Sequence, residues 1–449
     1  MRSNVMKSSP ERTLLTIAFS LCMFFHLASG SDNVPAKVQD HPIAIKGATI
    51  HPVSGPVLER GTIIFDKGKI VAVGTELRLP PNTEVIDASG KHVYPGLISS
   101  ATSIGLTEIG AVRASVDVNE IGSINPNIRA ETAVNPESEL IPVARANGIT
   151  MVAATPEGTL IAGTSAMIML DGWTWEEMTL KAPLAMNLTW PDMSIDRGAS
   201  TLKSEENQKK ELEAKLGELA NAFRDARAYM TAKKAETAKG LPYHNVDVRW
   251  EAMIPVFEKK LPVVVWANDV QQIEAAVAWA QREDIRIIIG GGHDAWRVSN
   301  LLKARGIAVL AGGLHRLPDR RFEEYDEPES LPLKLHTAGI PFAIISQEES
   351  PHERNLPYQA SRAAAYGLPK DEALNAITLS PAQIFGIADR VGSLEPGKDA
   401  TLIVSTGDPL EIRSNVVLEF IQGRKIDLSS RHTRLYEKYQ EKYRRMKHE

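Results

Sequence analysis

Five runs of apolar, largely β-branched residues, at 150–154, 262–267, 286–290, 307–311 and 342–346, alternate along this chain with stretches of helical periodicity. Strands in which apolar residues do not alternate with polar ones are buried on both faces, and when helices separate such strands the result is a parallel sheet covered by those helices. The helical stretches carry their own boundaries. Asp269 is placed to cap a helix running through Arg282, and Ser380-Pro381 sets a capping residue before a proline at the first helical position.

Both ends of the chain are β-like instead. Residues 43–45, 62–65 and 70–74 are short β-type runs, and Asp66-Lys67-Gly68-Lys69 between the last two is a hairpin signal. Near the other end, Gly392-Ser393-Leu394-Glu395-Pro396-Gly397-Lys398-Asp399-Ala400 leads into further β runs at 401–404 and 416–421. The economical reading is one small β domain assembled from residues 41–94 and 391–428, with the α/β region of residues 95–390 inserted between them.

With 449 residues, 43% of them hydrophobic, and a formal charge of −5, the chain can bury a large core and has no global bias toward nucleic acid or membrane. Arg2, Lys7 and Arg12 precede an apolar stretch at 14–27 and the small residues Ala28-Ser29-Gly30, the layout of a secretory signal peptide over residues 1–30. The apolar stretch is shorter than the roughly 20 residues that span a bilayer. Export to the periplasm or the extracellular space is the expectation. The single cysteine, Cys22, lies inside that segment with no lipobox before it, so the processed chain is expected to hold neither disulfide nor cysteine nucleophile.

Two helices look added to this plan. In residues 203–236, Leu212, Leu216, Leu219, Phe223, Ala226 and Met230 make a narrow apolar stripe on a charged helix, suited to packing on the chain's own barrel or, alternatively, to a partner helix. Residues 429–449 place Tyr436, Tyr439, Tyr443 and Met446 on one face among lysines and arginines. This face reads as docking on the fold, or as membrane-surface contact interrupted by Glu437 and Glu441.

The segment Val85-Ile86-Asp87-Ala88-Ser89-Gly90-Lys91-His92-Val93-Tyr94-Pro95-Gly96-Leu97-Ile98 and the ordered block from Leu368-Pro369-Lys370-Asp371-Glu372-Ala373-Leu374 through Asp399-Ala400 resemble the amidohydrolase (metal-dependent hydrolase) superfamily, in its imidazolonepropionase-like branch. The resemblance extends over residues 42–425. It implies an α/β fold, a (β/α)8 TIM-like barrel inserted in a composite β-sandwich formed by the N- and C-terminal segments. It also implies hydrolysis of C–N bonds other than peptide bonds, on a cyclic amide-like substrate. Family members hold one or two divalent metals at the C-terminal mouth of the barrel, with histidines from strands one, five and six and an aspartate from strand eight. The metal lowers the pKa of bound water from about 15.7 to about 7, and the carboxylate takes the proton as hydroxide attacks.

Here that ligand set is mostly replaced. Where the family's first strand continues Asp-x-His-x-His, this chain has Ser99, Ala101 and Ser103; Trp266 stands at or beside the strand-five histidine, and Gln347 where the aspartate belongs. His293 falls about where the strand-six histidine would be. A shifted site of His293, His315 and Glu348 or His352 is the way zinc or another divalent metal would be held; no residue is assigned as a metal ligand otherwise. His293, His315 and Gln347 are the catalytic candidates, and Gly291, Gly292, Trp266 and Ser103 the substrate-binding ones. Gly290-Gly291-Gly292 reads either as a tight strand-to-helix turn or as backbone N–H groups open to an anion, and Trp173 and Trp175 either as rim packing or as a stacking surface. Two functions stay open: a hydrolase of non-peptide C–N bonds, or a catalytically inactive homologue. The second would bind a small molecule or form a homo- or hetero-oligomer with an amidohydrolase homologue. No nucleic-acid partner is expected.

Overall fold

The computed structural model describes residues 33–198, 201–239 and 245–447. The signal-peptide reading lies outside these residues, and every element below belongs to the unit Pro35–Glu449.

One eight-stranded sheet is built from both ends of the chain. It contains β1 (Ile43–Ile50), β2 (Leu58–Asp66), β3 (Lys69–Gly74), β4 (Glu84–Asp87), β5 (His92–Pro95), and from the C-terminal side β14 (Leu402–Ser405), β15 (Val416–Ile421) and β16 (Arg424–Lys425). Its order is β16-β15-β14-β5-β1-β2-β3, with β4 also paired to β1. The predicted hairpin is there. Lys67 and Gly68 have φ of 49° and 76°, the two left-handed residues of a type I′ turn, and a Cβ on Gly68 would stand 2.9 Å from the carbonyl oxygen of Gln422. The two ends of the chain meet where β5 pairs antiparallel with β14, Val93 opposite Val404. Their apolar faces close over one core in which Phe65 meets Phe420 edge-on at 5.0 Å.

The second sheet is the barrel wall, in the order β13-β12-β11-β10-β9-β8-β7-β6. Its strands are β6 (Leu97–Thr102), β7 (Ile149–Ala154), β8 (Ile161–Met169), β9 (Thr179–Thr189), β10 (Val263–Ala267), β11 (Ile287–Gly291), β12 (Val309–Ala311) and β13 (Phe342–Ile344). All five strands expected from apolar runs are present. The sheet nearly closes: Ile344 N–H donates to the carbonyl of Ala376 and Ile98 N–H to that of Ile377, so the segment between two helices bridges the last strand to the first.

The third barrel strand departs from a strict (β/α)8 pattern. β8 runs antiparallel to both β7 and β9, so the first half of the barrel contains a meander instead of a third βα repeat. Its nine residues are all buried, yet it contains Gly163, Thr164 and Ser165, and β9 contains Pro183, which is why neither gave an apolar run.

Asp269 caps the helix Val270–Arg282 in a full capping box with Gln272, as expected. Ser380 does not cap. The helix Leu379–Ile384 starts two residues earlier than the proline signal implied, with Thr378 at its N-cap, and the Ser380 hydroxyl instead donates to the Phe342 carbonyl. The long helix Glu205–Lys239 packs on the chain's own barrel. Leu219, Ala222, Phe223 and Ala226 are buried, and the Phe223 ring stands edge-on to Trp279 at 4.8 Å and to Phe257 at 5.7 Å.

Candidate functional site

The C-terminal ends of the barrel strands surround a cavity of about 470 Å3. Ala101, Thr102 and Ser103 reach it from the end of β6, Asn187 and Thr189 from β9, Trp266 from β10, and Ile345, Gln347 and Glu348 from the segment after β13; Asn119 and residues 155–159 roof it. Barrel active sites sit at this face because the loops that follow the strands, and the strand ends themselves, bring side chains from several strands together there. A larger cavity of about 630 Å3 lies at the opposite, N-terminal end of the strands, against Pro262, Arg286, Ile307 and Pro341. In this architecture that end normally serves stability.

The mouth is polar and mostly uncharged. The hydroxyls of Ser103 and Ser350 lie 2.6 Å apart, and the Trp266 indole N–H points at the Asn187 side-chain oxygen at 3.4 Å. Gln347 takes a left-handed backbone conformation, φ 52°, which aims its side chain back across the strand ends. Gly312 makes room for it, since a Cβ there would come within 2.7 Å of the Gln347 amide oxygen.

Residues 339–427 match the amidohydrolase family. Over 392 residues the chain is 22% identical to the amidohydrolase tasK of Hapsidospora irregularis, covering 81% of this chain but only 39% of that longer protein. It is 24% identical to the imidazolonepropionase of Mesorhizobium japonicum, over 78% of this chain and 87% of that one. The crystal structure of an amidohydrolase from Thermotoga maritima superposes with a TM-score of 0.76 at 26% identity, across 86% of this chain and 99% of the other. The chain is thus similar to amidohydrolases in sequence and shares the fold of that amidohydrolase.

Amidohydrolase metals would sit in this cavity, and the residues present do not fit them. At the positions matched to ligands the wall offers the Ala101 methyl, the Ser103 hydroxyl, the Trp266 indole and the Gln347 amide, with no imidazole or carboxylate among them. An indole N–H is a donor with no lone pair to give, and a neutral amide is no base. Among the described residues no cluster of three or more His, Cys, Asp or Glu is arranged to hold a metal ion, so the shifted set of His293, His315 and Glu348 or His352 is not assembled either.

The two histidines are each held by a carboxylate, but separately. His293 Nδ1 donates to Asp319 at 2.8 Å. The Gln347 side chain lies beside the same ring, and burial, reinforced by the Arg316 guanidinium, holds the His293 pKa below the ordinary imidazole value. Gln347, not His293, lines the cavity. His315 Nδ1 lies 3.0 Å from Glu348, which also accepts from Gln359 at 2.7 Å. Of these three, Glu348 reaches the cavity wall.

Of the substrate-binding candidates, Trp266 and Ser103 line the cavity, and Gly291 and Gly292 do not. The Gly292 N–H is taken by the Ala267 carbonyl, and the Asp294 N–H by that of Asn268, so these two groups are not open to an anion. Its glycines answer to packing. A Cβ on Gly291 would fall 2.1 Å from the Asn268 side-chain oxygen, and Gly292 has φ 61°. Trp173 is exposed, and Trp175 is half-buried near the Arg129 guanidinium at 6.0 Å; neither lines the cavity.

Sequence reading missed Asn187 and Thr189, because β9 itself was not recognised. It also missed Glu353, which hides in the charged run His352-Glu353-Arg354 as an apparent surface residue. Glu353 is fully buried, accepts from the Ser346 hydroxyl at 2.7 Å, and lies against the hydroxyls of Ser99 and Thr102. Burial pushes its carboxyl pKa up, against the opposing pull of those hydroxyls.

Proposed function

We propose that this protein is an amidohydrolase-fold binding protein whose mouth cavity takes a small, neutral, amide-bearing ligand such as a cyclic amide, without metal-bound hydroxide chemistry. The observation that carries the reading is a retained cavity of about 470 Å3 whose inner wall pairs the Asn187 and Gln347 amides and the Ser103 hydroxyl with the Trp266 ring. Volumes of roughly 300–1,000 Å3 with a few convergent polar groups suit small-molecule ligands. Neutral donors and acceptors pair with an amide ligand without the desolvation cost that a charged wall imposes.

A second reading, a hydrolase of non-peptide C–N bonds, is favoured by Glu348, which lines the cavity and orients His315. One experiment separates the two. The purified protein is titrated calorimetrically with hydantoin and related cyclic amides, and the same mixtures are followed for ring opening with and without added zinc. Binding without ring opening, weakened at least tenfold by Asn187→Ala or Gln347→Ala, supports the binding reading. Zinc-dependent turnover, or stoichiometric metal in the protein as purified, overturns it. Export belongs to the same proposal and rests on the pattern at residues 1–30; detection of a processed chain outside the cytoplasm tests it.

A further inference from the structure

The C-terminal helix Arg431–Met446 is set up by a capping box at Ser430 and Thr433, yet it buries none of its own residues. Its first turn ties it to the rest of the fold, where Arg434 lies 3.6 Å from Glu139 and His432 meets Arg354 at 3.4 Å. Beyond that turn Leu435, Tyr436, Tyr439, Tyr443 and Met446 are 40–65% exposed. A helix that needed the barrel to cover its apolar side would bury these.

At about 100° per residue, those five side chains fall in one arc of about 100°. On the same projection Lys438, Lys442 and Arg431 edge the arc on one side and Arg444 lies beyond the other edge. Glu437 and Glu441 project opposite the aromatic face, and Glu441 is engaged by Arg444 and Arg445. The two acidic residues that interrupt the basic pattern in the linear sequence are thus turned away from the apolar face. Residues 431–447 hold seven Lys or Arg against two Glu, in a chain whose formal net charge is −5.

We propose that this helix is an interfacial anchor that lies in the plane of an anionic lipid surface. Tyrosine, three of the five residues in the arc, is a side chain that settles at headgroup depth with its ring in the apolar layer and its hydroxyl in water. Lysine and arginine stems flanking such a face extend along the surface and deliver their charges to lipid phosphates. Charge complementarity selects anionic over zwitterionic lipid. No helix among the described residues is long and apolar enough to cross a membrane, so the contact is peripheral.

The test is co-sedimentation of the full chain with vesicles of equal parts phosphatidylglycerol and phosphatidylcholine, and with vesicles of phosphatidylcholine alone. The expected result is binding to the anionic vesicles at least tenfold tighter than to the neutral ones, lost when salt rises from about 0.05 M to about 0.5 M. The triple variant Tyr436→Ser, Tyr439→Ser, Tyr443→Ser is expected to bind at least tenfold more weakly with an unchanged thermal midpoint, since all three rings are exposed and the polar and cation–π partners of Tyr436 and Tyr439, Gln440 and Lys442, lie on the same helix. Equal binding by the triple variant, no preference for anionic vesicles, or no binding at all overturns the proposal. So does concentration-dependent self-association that the triple variant abolishes, which would show that a second copy covers this face.

Discussion

His293, half-buried, and Glu353, fully buried, have pKa values shifted in opposite directions, and they give opposite pH dependences. The pKa of His293 is held down by burial first and Arg316 second, so below about pH 6.5, the ordinary imidazole value, the unfolded chain binds a proton that the folded chain refuses. Its contribution is present above that pH and lost as pH falls. Glu353 is raised by burial, so its contribution is complete below the ordinary carboxyl value of about 4.3 and is lost as pH rises toward its folded value. Thermal melts between about pH 4 and pH 8 should therefore show Glu353→Gln flattening the loss of stability on the alkaline side while leaving the acid side unchanged. His293→Ala is expected to cost about 1–3 kcal/mol, because it removes the bond to Asp319 and opens a buried space, and to change ligand affinity little, because Gln347 faces the cavity instead. Denaturant unfolding and calorimetric titration of the same variant check both halves.

At the scale of elements, the long helix Glu205–Lys239 shows how a stripe can be read correctly while its weight is misjudged. Spacing alone located Leu219, Phe223 and Ala226, and these are the residues that bury. What spacing could not show is that Phe223 closes a ring cluster with Trp279 and Phe257, with Trp190 against Trp279 behind it at 5.5 Å. Phe223→Ala is expected to cost about 3–5 kcal/mol, in the range for a large buried aromatic, whereas Leu212→Ala, near the half-exposed start of the helix, should cost under about 1 kcal/mol. Urea denaturation of the two variants tests the ratio. The meander β7-β8-β9 is the complementary case: β8 is as buried as any strand, but its Gly, Ser and Thr content hides it from a search for apolar runs.

At the scale of the whole molecule, a buried charge cluster joins the two sheets. Asp171, following β8, faces Arg145 at 3.3 Å and Arg424 of β16 at 3.1 Å, and the Arg145 guanidinium also donates to the Leu170 carbonyl. Asp171, Arg145 and Arg424 are shielded from water, and the fully buried Glu419 of β15 stands near Arg145 with its pKa driven up by burial. Removing one member of a buried pair strands the other charge, at about 3–5 kcal/mol. Asp171→Ala is therefore expected to lose about that much and to split a single calorimetric transition into two as the sheets uncouple. A single transition with an unshifted midpoint would show that the core contacts alone hold the sheets together.

The sequence by itself determined the architecture, because periodicity and turn chemistry are local. The apolar runs had to be buried strands, Asp66-Lys67-Gly68-Lys69 had to turn, Asp269 had to cap, and two β regions lacking a full core each had to share one. The resemblance to amidohydrolases added that Ser103, Trp266 and Gln347 stand at strand ends where that family carries its metal ligands. Only the tertiary structure decided what those changes leave behind, because a cavity wall is made by residues far apart in the chain. Asn187 reaches the mouth through a strand that no local signal marks, and Glu353 is buried by contacts with Ser99, Thr102 and Ser346. The glycine turn after β11 gives its N–H groups to neighbouring carbonyls. Burial and hydrogen-bond pairing belong to the assembled barrel, and there they tie His293 to Asp319 beside the cavity and turn an apparent surface residue such as Glu353 into core.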